Sequence, residues 1–585
     1  MQTADDIHKK GWNSVLTIDT YQYWLAHNKV DEQDKQLLRK MTEREREDAF
    51  YRTLEFGTGG MRGELGPGTN RMNVYTVRKA SEGLAQFLVD KGADAAKKGV
   101  AIAYDSRHQS DVFARVVAET VGTHGIPVYL FPTPHSTPEL SFAVRKLGAA
   151  AGIVITASHN PPEYNGLKVY GDDGAQLPPD PAEELITYVN AVEDELSLQP
   201  KPFAELQESG LIRMLDSAID QAYLQMVQNV EQCQANERDS ELQIVFTPLH
   251  GTAGRPVTKL LANCGYENVT TVAEQMQPDP NFSTVDLPNP EEPAAFKLAI
   301  DYGERVNADI LLATDPDADR MGVCVRNDKG KFTVLTGNQT GALVLYYLLS
   351  QKKANGTLPE NGILYKTIVT SPFGETIANQ FGVSVEDTLT GFKFIAENIK
   401  RSEQSGQHTF LFGYEESYGY LIDPAVRDKD AIQAVLLAVE AAAYYKKQGK
   451  TLYDVLQDLY ATYGHFRETL HSITRKGKEG AEEIAQILRS LRENPPTVIA
   501  GREVLFAEDY NQGTRTEIAT GEVTALTLPA SNVLKFHLAG GAWCCVRPSG
   551  TEPKCKFYFG VCEESSEESD SALARMTEHF MRIVQ

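Results

Sequence analysis

Short apolar runs alternate along most of the chain with longer amphipathic stretches. Val100–Tyr104 (VAIAY) and residues 127–131 and 150–156 (AAGIVIT) read as buried strands. Residues 111–124 place Val112, Phe113, Val116, Val117 and Val121 at helical spacing between the first two. The same alternation returns with strands at 243–246, 268–272 and 309–313 around a helix near 254–264. It returns again with strands at 363–369 and 409–412 and a long helix over 431–446. Strands separated by helices predict mostly parallel sheets covered on both faces, here as three similar α/β units in series. No close repeat of letters accompanies them. The tail differs: a charged helix at 476–492, strands at 540–546 and 554–561, and a helix at 571–583 predict a smaller α+β domain. Residues 1–50 are helical and highly charged, and the run 31–50 has too few apolar positions for a core helix. It predicts a solvated helix packed along one narrow side. Pro- and Gly-bearing stretches near 200–212, 326–338 and 448–466 divide the chain into domains at 1–212, 213–332, 333–462 and 463–585.

Composition narrows the class. A length of 585 residues fits about three to five domains at roughly 100–200 residues each. Hydrophobic residues at 42% and charged residues at 23% are ordinary for a globular protein. No apolar run is long enough to cross a bilayer, and the first residues, MQTADDIHKK, hold no signal core. The seven cysteines show no CxxC spacing, so they read as free thiols in a reducing, cytoplasmic setting. The net charge of −23 argues against a broad nucleic-acid footprint, and an anionic ligand would need a locally basic pocket.

Candidate chemistry sits in loops beside the predicted strands, where open α/β sheets bind ligands. TASHNP at 156–161 exposes Ser158 beside His159. It reads as an activated or phosphorylated serine, or as a simple turn before two prolines. DPDADR at 315–320 sets Asp315, Asp317 and Asp319 at alternate positions. On an extended loop they would face one side and repel unless a hard cation such as Mg²⁺ sat among them. The calcium-loop pattern fails, because Arg320 and Arg326 stand where it needs Gly and Glu; an Asp-rich turn is the plainer alternative. GYEES at 413–417 offers carboxylates and a hydroxyl suited to sugar hydroxyls, or an exposed turn. RPSGTEPK at 547–554 has the composition of a phosphate cradle, or of a tight turn. GTGGMRG at 57–63 is neither a dinucleotide nor a Walker loop. It reads as a flexible carrier for Arg62, or as a plain linker.

These motifs, in this order and at this spacing, closely resemble the α-D-phosphohexomutase superfamily, from FGTGGMRG to the C-terminus. The resemblance implies three related α/β domains plus a C-terminal α+β domain around a central cleft. It implies Ser158 as a phosphoserine, with Asp315, Asp317 and Asp319 holding Mg²⁺ together with an oxygen on Ser158. Arg62, His159 and Lys168 would surround the moving phosphoryl group, His159 and Lys168 as candidates for proton transfer. Substrate contacts would fall to Arg320, Glu415, Ser417, Arg427 and Lys429, and to Thr390, Gly391 and Lys393 of a specificity loop (TGFK). Arg547, Ser549, Gly550 and Thr551 would grip the phosphate that does not react.

The N-terminal helical segment, the Tyr of GYEES and RDKDAI at 427–432 look most like the bacterial phosphoglucomutase branch. That branch implies interconversion of glucose 1-phosphate and glucose 6-phosphate through glucose 1,6-bisphosphate, with pentose or mannose phosphates, or a phosphatase reaction, as alternatives. The implied partners are small sugar phosphates, with no nucleic acid or membrane, and the chain a monomer or weak homodimer. One departure stands out: some relatives place a histidine shortly after the sugar-reading serine, where this chain has Tyr418-Gly419-Tyr420.

Overall fold

The computed structural model describes residues 18–57, 59–475, 477–548 and 554–584. The chain forms two compact units, Met1–Leu335 with Gly419–Tyr444, and Thr336–Tyr418 with Tyr445–Gln585.

The first unit holds two sheets. One contains β1 (Met61–Glu64), β2 (Val100–Tyr104), β3 (Val128–Leu130), β4 (Ala151–Ile155), β5 (Tyr164–Tyr170) and β6 (Ile212–Met214), in the order β1-β5-β4-β2-β3-β6. The strands β4, β2, β3 and β6 are parallel, as the apolar runs of β2 and β4 predict, while β5 pairs antiparallel with β4 and β1 antiparallel with β5 along one edge. Every residue of β2 and β4 is buried, because helices cover both faces. On one face Leu84, Val117 and Val189 join Ile102 and Ile153; on the other Leu140 and Val144 join Ala103 and Val154. The helix Thr137–Leu147 shows how local signals fix an end: Ser136 and Glu139 form a capping box, and Gly148 closes the helix in the left-handed region.

The second sheet contains β7 (Ile244–Thr247), β8 (Val269–Thr271), β9 (Ile310–Thr314), β10 (Met321–Arg326) and β11 (Phe332–Val334), in the order β11-β10-β9-β7-β8. β8, β7 and β9 are parallel, and β10 folds back antiparallel on β9. The helix Ala431–Lys447 is apolar on nearly all sides and correspondingly buried. Its lone interior acid, Glu440, accepts hydrogen bonds from the backbone N–H groups of Gln232 (2.8 Å) and Cys233 (3.2 Å).

The charged run at 31–50 is two helices, Glu32–Lys40 and Glu43–Phe50, rather than one. Thr42 caps the second through a box with Glu45 and so interrupts the first. The segment is also better anchored than its charge implies. Trp24 is 1% exposed and packs with Tyr21, Leu38, Phe50 and Tyr75 in a small aromatic core.

The second unit contains the parallel strands β12 (Gly362–Thr367), β13 (Ser384–Thr388) and β14 (Thr409–Glu415), with β12 in the middle. An antiparallel sheet follows, from His465–Thr474 to Lys554–Glu563, with the helices Gly477–Glu493 and Ser566–Val584. Three α/β layers and one α+β layer are therefore present. Cys544 and Cys545 belong to two different buried clusters, as adjacent residues on a strand must. All seven cysteines are free, and among the described residues no helix is long and apolar enough to cross a membrane.

Candidate active site

Ser158 follows β4 by three residues and has φ of 52°. A non-glycine residue in that region costs about 1–2 kcal/mol and must be held there. Thr156 Oγ1 accepts from the Ser158 N–H at 2.8 Å. Behind the loop lies Arg107, whose guanidinium donates to the carbonyls of Ser158 (2.6 Å), Pro161 (2.8 Å), Tyr164 (3.0 Å) and Asn160. Ser158 Oγ then points forward. It donates to Asp315 Oδ2 at 2.8 Å and lies 3.2 Å from His159 Nδ1.

The three aspartates converge by a route other than the alternation of an extended loop. The β9–β10 connection is a tight turn, with Ala318 at φ 55° and the Ala318 N–H on the Asp315 carbonyl. Asp315 Oδ1 accepts the N–H groups of Asp319 and Arg320, each at 3.0 Å. The acidic groups thus lie with oxygens within 4.8 Å of one another, all buried. Asp317 Oδ2 accepts from Lys168 Nζ (2.8 Å) and Thr137 Oγ1 (2.9 Å). The Thr137 N–H, in the first turn of its helix, also donates to the Asp317 carbonyl at 2.9 Å. Asp319 Oδ2 lies 3.1 Å from Lys429 Nζ and 3.5 Å from Lys168 Nζ.

The charge balance follows from these contacts. Burial, and then the charges of Asp317 and Asp319, push the Asp315 carboxyl well above the ordinary range. Burial also opposes ionisation of Asp317, but Lys168 overcomes it and holds that carboxyl low. Asp319 is likewise lowered: burial and Asp317 oppose ionisation, and Lys429, Lys168 and Arg320 outweigh them. Burial, then Arg320 and Arg62, keep His159 well below its usual range, as a neutral imidazole. Asp317 Oδ1 and Asp319 Oδ1 are buried with no hydrogen-bond partner among the described residues. Orphaned carboxylate oxygens beside a third carboxylate are an oxygen donor set fit for a hard divalent cation. A second acidic group, His135, Glu139 and Asp220, has a structural account. His135 stacks on Phe131 at 4.1 Å and pairs with Asp220, and Glu139 completes the Ser136 cap.

Arg62 lies on β1 opposite Gly166 of β5, and its Nη1 donates to Asn160 Oδ1 at 2.9 Å. Gly60, just before β1, has a steric reason as well as a flexible one. At Gly60, with φ of 114°, a Cβ would lie 1.9 Å from the Leu167 carbonyl oxygen. Lys429 is fixed by Asp428 Oδ1 (2.9 Å), whose other oxygen accepts from Tyr170 Oη at 2.8 Å. Arg320 pairs with Glu291. Arg427 is 1% exposed and donates to the Pro424 carbonyl, the geometry of a brace within the 424–430 turn.

In the second unit, Glu415 is the last residue of β14, so the strand runs three residues beyond the predicted 412 and includes Gly413 and Tyr414. Its Oε1 accepts from the Gly391 N–H at 3.0 Å. Gly391, at φ 121°, starts the helix Phe392–Ser405. Thr390 Oγ1 is buried without a hydrogen-bond partner among the described residues. Lys393 lies 5.3 Å from the Phe394 ring, and burial lowers its pKa. Ser417 is half-buried. Arg547 is half-buried on the strand Trp543–Pro548, opposite Lys556 of the neighbouring strand. Ser549, Gly550 and Thr551 lie outside the described residues.

Family models for the phosphoglucomutase/phosphomannomutase domains match in series: α/β/α domain I at 53–195, domain II at 221–330, domain III at 336–463 and the C-terminal domain at 479–576. A phosphoglucomutase of Staphylococcus epidermidis is 40% identical over 541 residues, spanning 92% of this chain and 96% of that one. One from Staphylococcus aureus is 39% identical over 527 residues, spanning 90% and 93%. Two solved structures share the fold. The Paramecium phosphoglucomutase pp63/parafusin has a TM-score of 0.66 at 19% identity, covering 91% of this chain and 94% of its own. A phosphoglucomutase/phosphomannomutase family protein of Burkholderia thailandensis has a TM-score of 0.64 at 18% identity, covering 90% and 96%.

Proposed function

Since the chain belongs to the α-D-phosphohexomutase superfamily, closely related to the bacterial phosphoglucomutases, we propose that it interconverts glucose 1-phosphate and glucose 6-phosphate through a phosphorylated Ser158. It is a sugar-phosphate mutase of the phosphoglucomutase type, an intramolecular phosphotransferase. We further infer a glucose phosphate substrate and a cytoplasmic setting.

The observation that carries the proposal is the 2.8 Å contact between Ser158 Oγ and Asp315, which sets the nucleophile against the buried carboxylates. Asp315, Asp317 and Asp319, with a Ser158 oxygen, would hold Mg²⁺, which when bound supplies Lewis-acid stabilisation of the phosphoryl oxygens. Ser158 carries the phosphoryl group, gives it to the free hydroxyl of the sugar phosphate and takes back the other phosphate from glucose 1,6-bisphosphate. Phosphoryl transfer demands positioning and charge stabilisation more than covalent help. Arg62 and Lys168 provide fixed positive charge beside the loop. His159, neutral and 3.2 Å from Ser158 Oγ, is placed to accept the hydroxyl proton, with Lys168 as the second candidate. Lys429 and Arg320 lie beside Asp319 and extend the positive rim. Arg427 braces the 424–430 turn that carries Lys429, through the Pro424 carbonyl, and the resemblance makes it a further substrate contact. Glu415, Ser417 and the 390–393 segment read the sugar hydroxyls, and Arg547 with 549–551 binds the second phosphate, as the resemblance implies.

Phosphorus NMR of the protein with Mg²⁺, glucose 1-phosphate and a trace of glucose 1,6-bisphosphate tests this directly. Conversion to glucose 6-phosphate without free phosphate is the expected result. Conversion of ribose or mannose phosphate alone would replace the substrate, and release of inorganic phosphate would replace the reaction.

A further inference from the structure

Arg107 lies outside the motif loops, just after the buried strand β2. Its guanidinium donates to four backbone carbonyls, of Ser158, Asn160, Pro161 and Tyr164. Carbonyls turned toward one buried point repel each other and need donors. A planar guanidinium with five N–H groups in a fixed fork meets that need, whereas a lysine ammonium has three donors and no fork. The charge is balanced by Asp105 at 3.4 Å, and both side chains are fully enclosed. Asp105 is held in turn by Ser110 Oγ (2.8 Å) and by the Arg107 N–H (2.9 Å). Asn165 ties the two loops together through Ser110 Oγ and the His108 carbonyl, each at 2.9 Å. The ring of Phe282, from the connection between β8 and β9, lies 4.9 Å from the guanidinium carbon.

We propose that Arg107 is the positioning residue of the phosphoryl-carrying loop. It holds Ser158 in its left-handed conformation by gripping the Ser158 carbonyl, while Asp105 and Phe282 keep the guanidinium in register. The hydroxyl that meets Asp315 at 2.8 Å is thereby set by a group that touches neither substrate nor the aspartates. This rests on Ser158 being the phosphoryl carrier, so the test separates the two ideas.

Rapid-quench phosphorylation by glucose 1,6-bisphosphate, read by intact mass, gives the rate of transfer to Ser158 independently of mutase turnover. Absence of label on the wild-type protein would overturn the carrier reading itself. With wild type labelled, Arg107→Lys should slow the transfer roughly 100-fold, as a misplacement of about 1 Å does, with KM for the bisphosphate within about threefold. Phe282→Leu and Asp105→Asn should each slow it about 3–30-fold by the same loosening. These two variants decide the matter should Arg107→Lys fail to fold. A lower Tm with a transfer rate within about twofold of wild type in the folded variants would make Arg107 a purely structural residue and overturn the proposal.

Discussion

In the first unit, Asp317 and Asp319 each face an ammonium at 2.8 and 3.1 Å, and Arg107 faces Asp105 at 3.4 Å. In the second unit, Glu468 is also drawn inward, but its hydrogen-bond partners among the described residues are the neutral Ser371 and Asn338. Burial pushes the Glu468 carboxyl up to about 7, with those two donors and Arg467 working against it. The contrast separates two uses of enclosed charge. Ion pairs around Ser158 keep Asp317 and Asp319 ionised and preorganised for a cation. A carboxyl with neutral partners gives up its proton near neutrality instead.

The largest expected effect is on the first region. Ser158→Ala should reduce mutase turnover to background in a coupled assay while leaving the fold intact by circular dichroism. Activity near that of wild type would break the account. Next comes Lys168→Met, which strands the Asp317 carboxylate without its ammonium. Leaving one member of a buried pair costs about 3–5 kcal/mol, read as a fall in urea-unfolding free energy in chelator. Added Mg²⁺ should recover part of that loss, and it should recover more in the variant than in wild type. Equal stability in chelator would mean that the pair does not govern the cage. Asp317→Asn should raise the Mg²⁺ concentration for half-maximal activity about 10–100-fold, and an unchanged Mg²⁺ titration would remove Asp317 from the metal site.

The smallest effect belongs to the second region. Glu468 has a folded-state pKa of about 7 against an ordinary 4.5, so between those values the folded protein binds more protons than the unfolded chain. Its contribution to stability is therefore fully present below about pH 4.5 and is lost as pH rises through about 7. Glu468→Gln should flatten the stability–pH profile across that window by about 1–2 kcal/mol, measured by denaturant titration at pH 5 and pH 8. An unaltered slope would show that the two regions handle charge alike.

Much of this was legible in the letters. The buried strands VAIAY and AGIVI have the composition of parallel strands covered on both sides, and both are fully buried. Ser158 and the three aspartates were visible because each motif packs unusual chemistry into a few residues at a strand end. Other features were hidden for identifiable reasons. The convergence of the aspartates depends on the left-handed Ala318 and on backbone N–H groups binding Asp315, and neither has a side-chain signature. The break between the N-terminal helices rests on the Thr42–Glu45 box, a signal present in the sequence but masked by the surrounding charge. Arg107 escaped because its partners are carbonyls, which every residue carries. The only local hint was the DSR sequence at 105–107, next to a buried strand.

In this proposal Ser158 carries the phosphoryl group between the two ends of one sugar phosphate. Intact-mass and peptide analysis after exposure to glucose 1,6-bisphosphate, followed by a chase with glucose 6-phosphate, tests it most directly. The account predicts a single phosphoryl group on Ser158 that the chase removes into bisphosphate, with no inorganic phosphate released. Label on another residue, or label on Ser158 that the chase leaves in place while turnover continues, would contradict it.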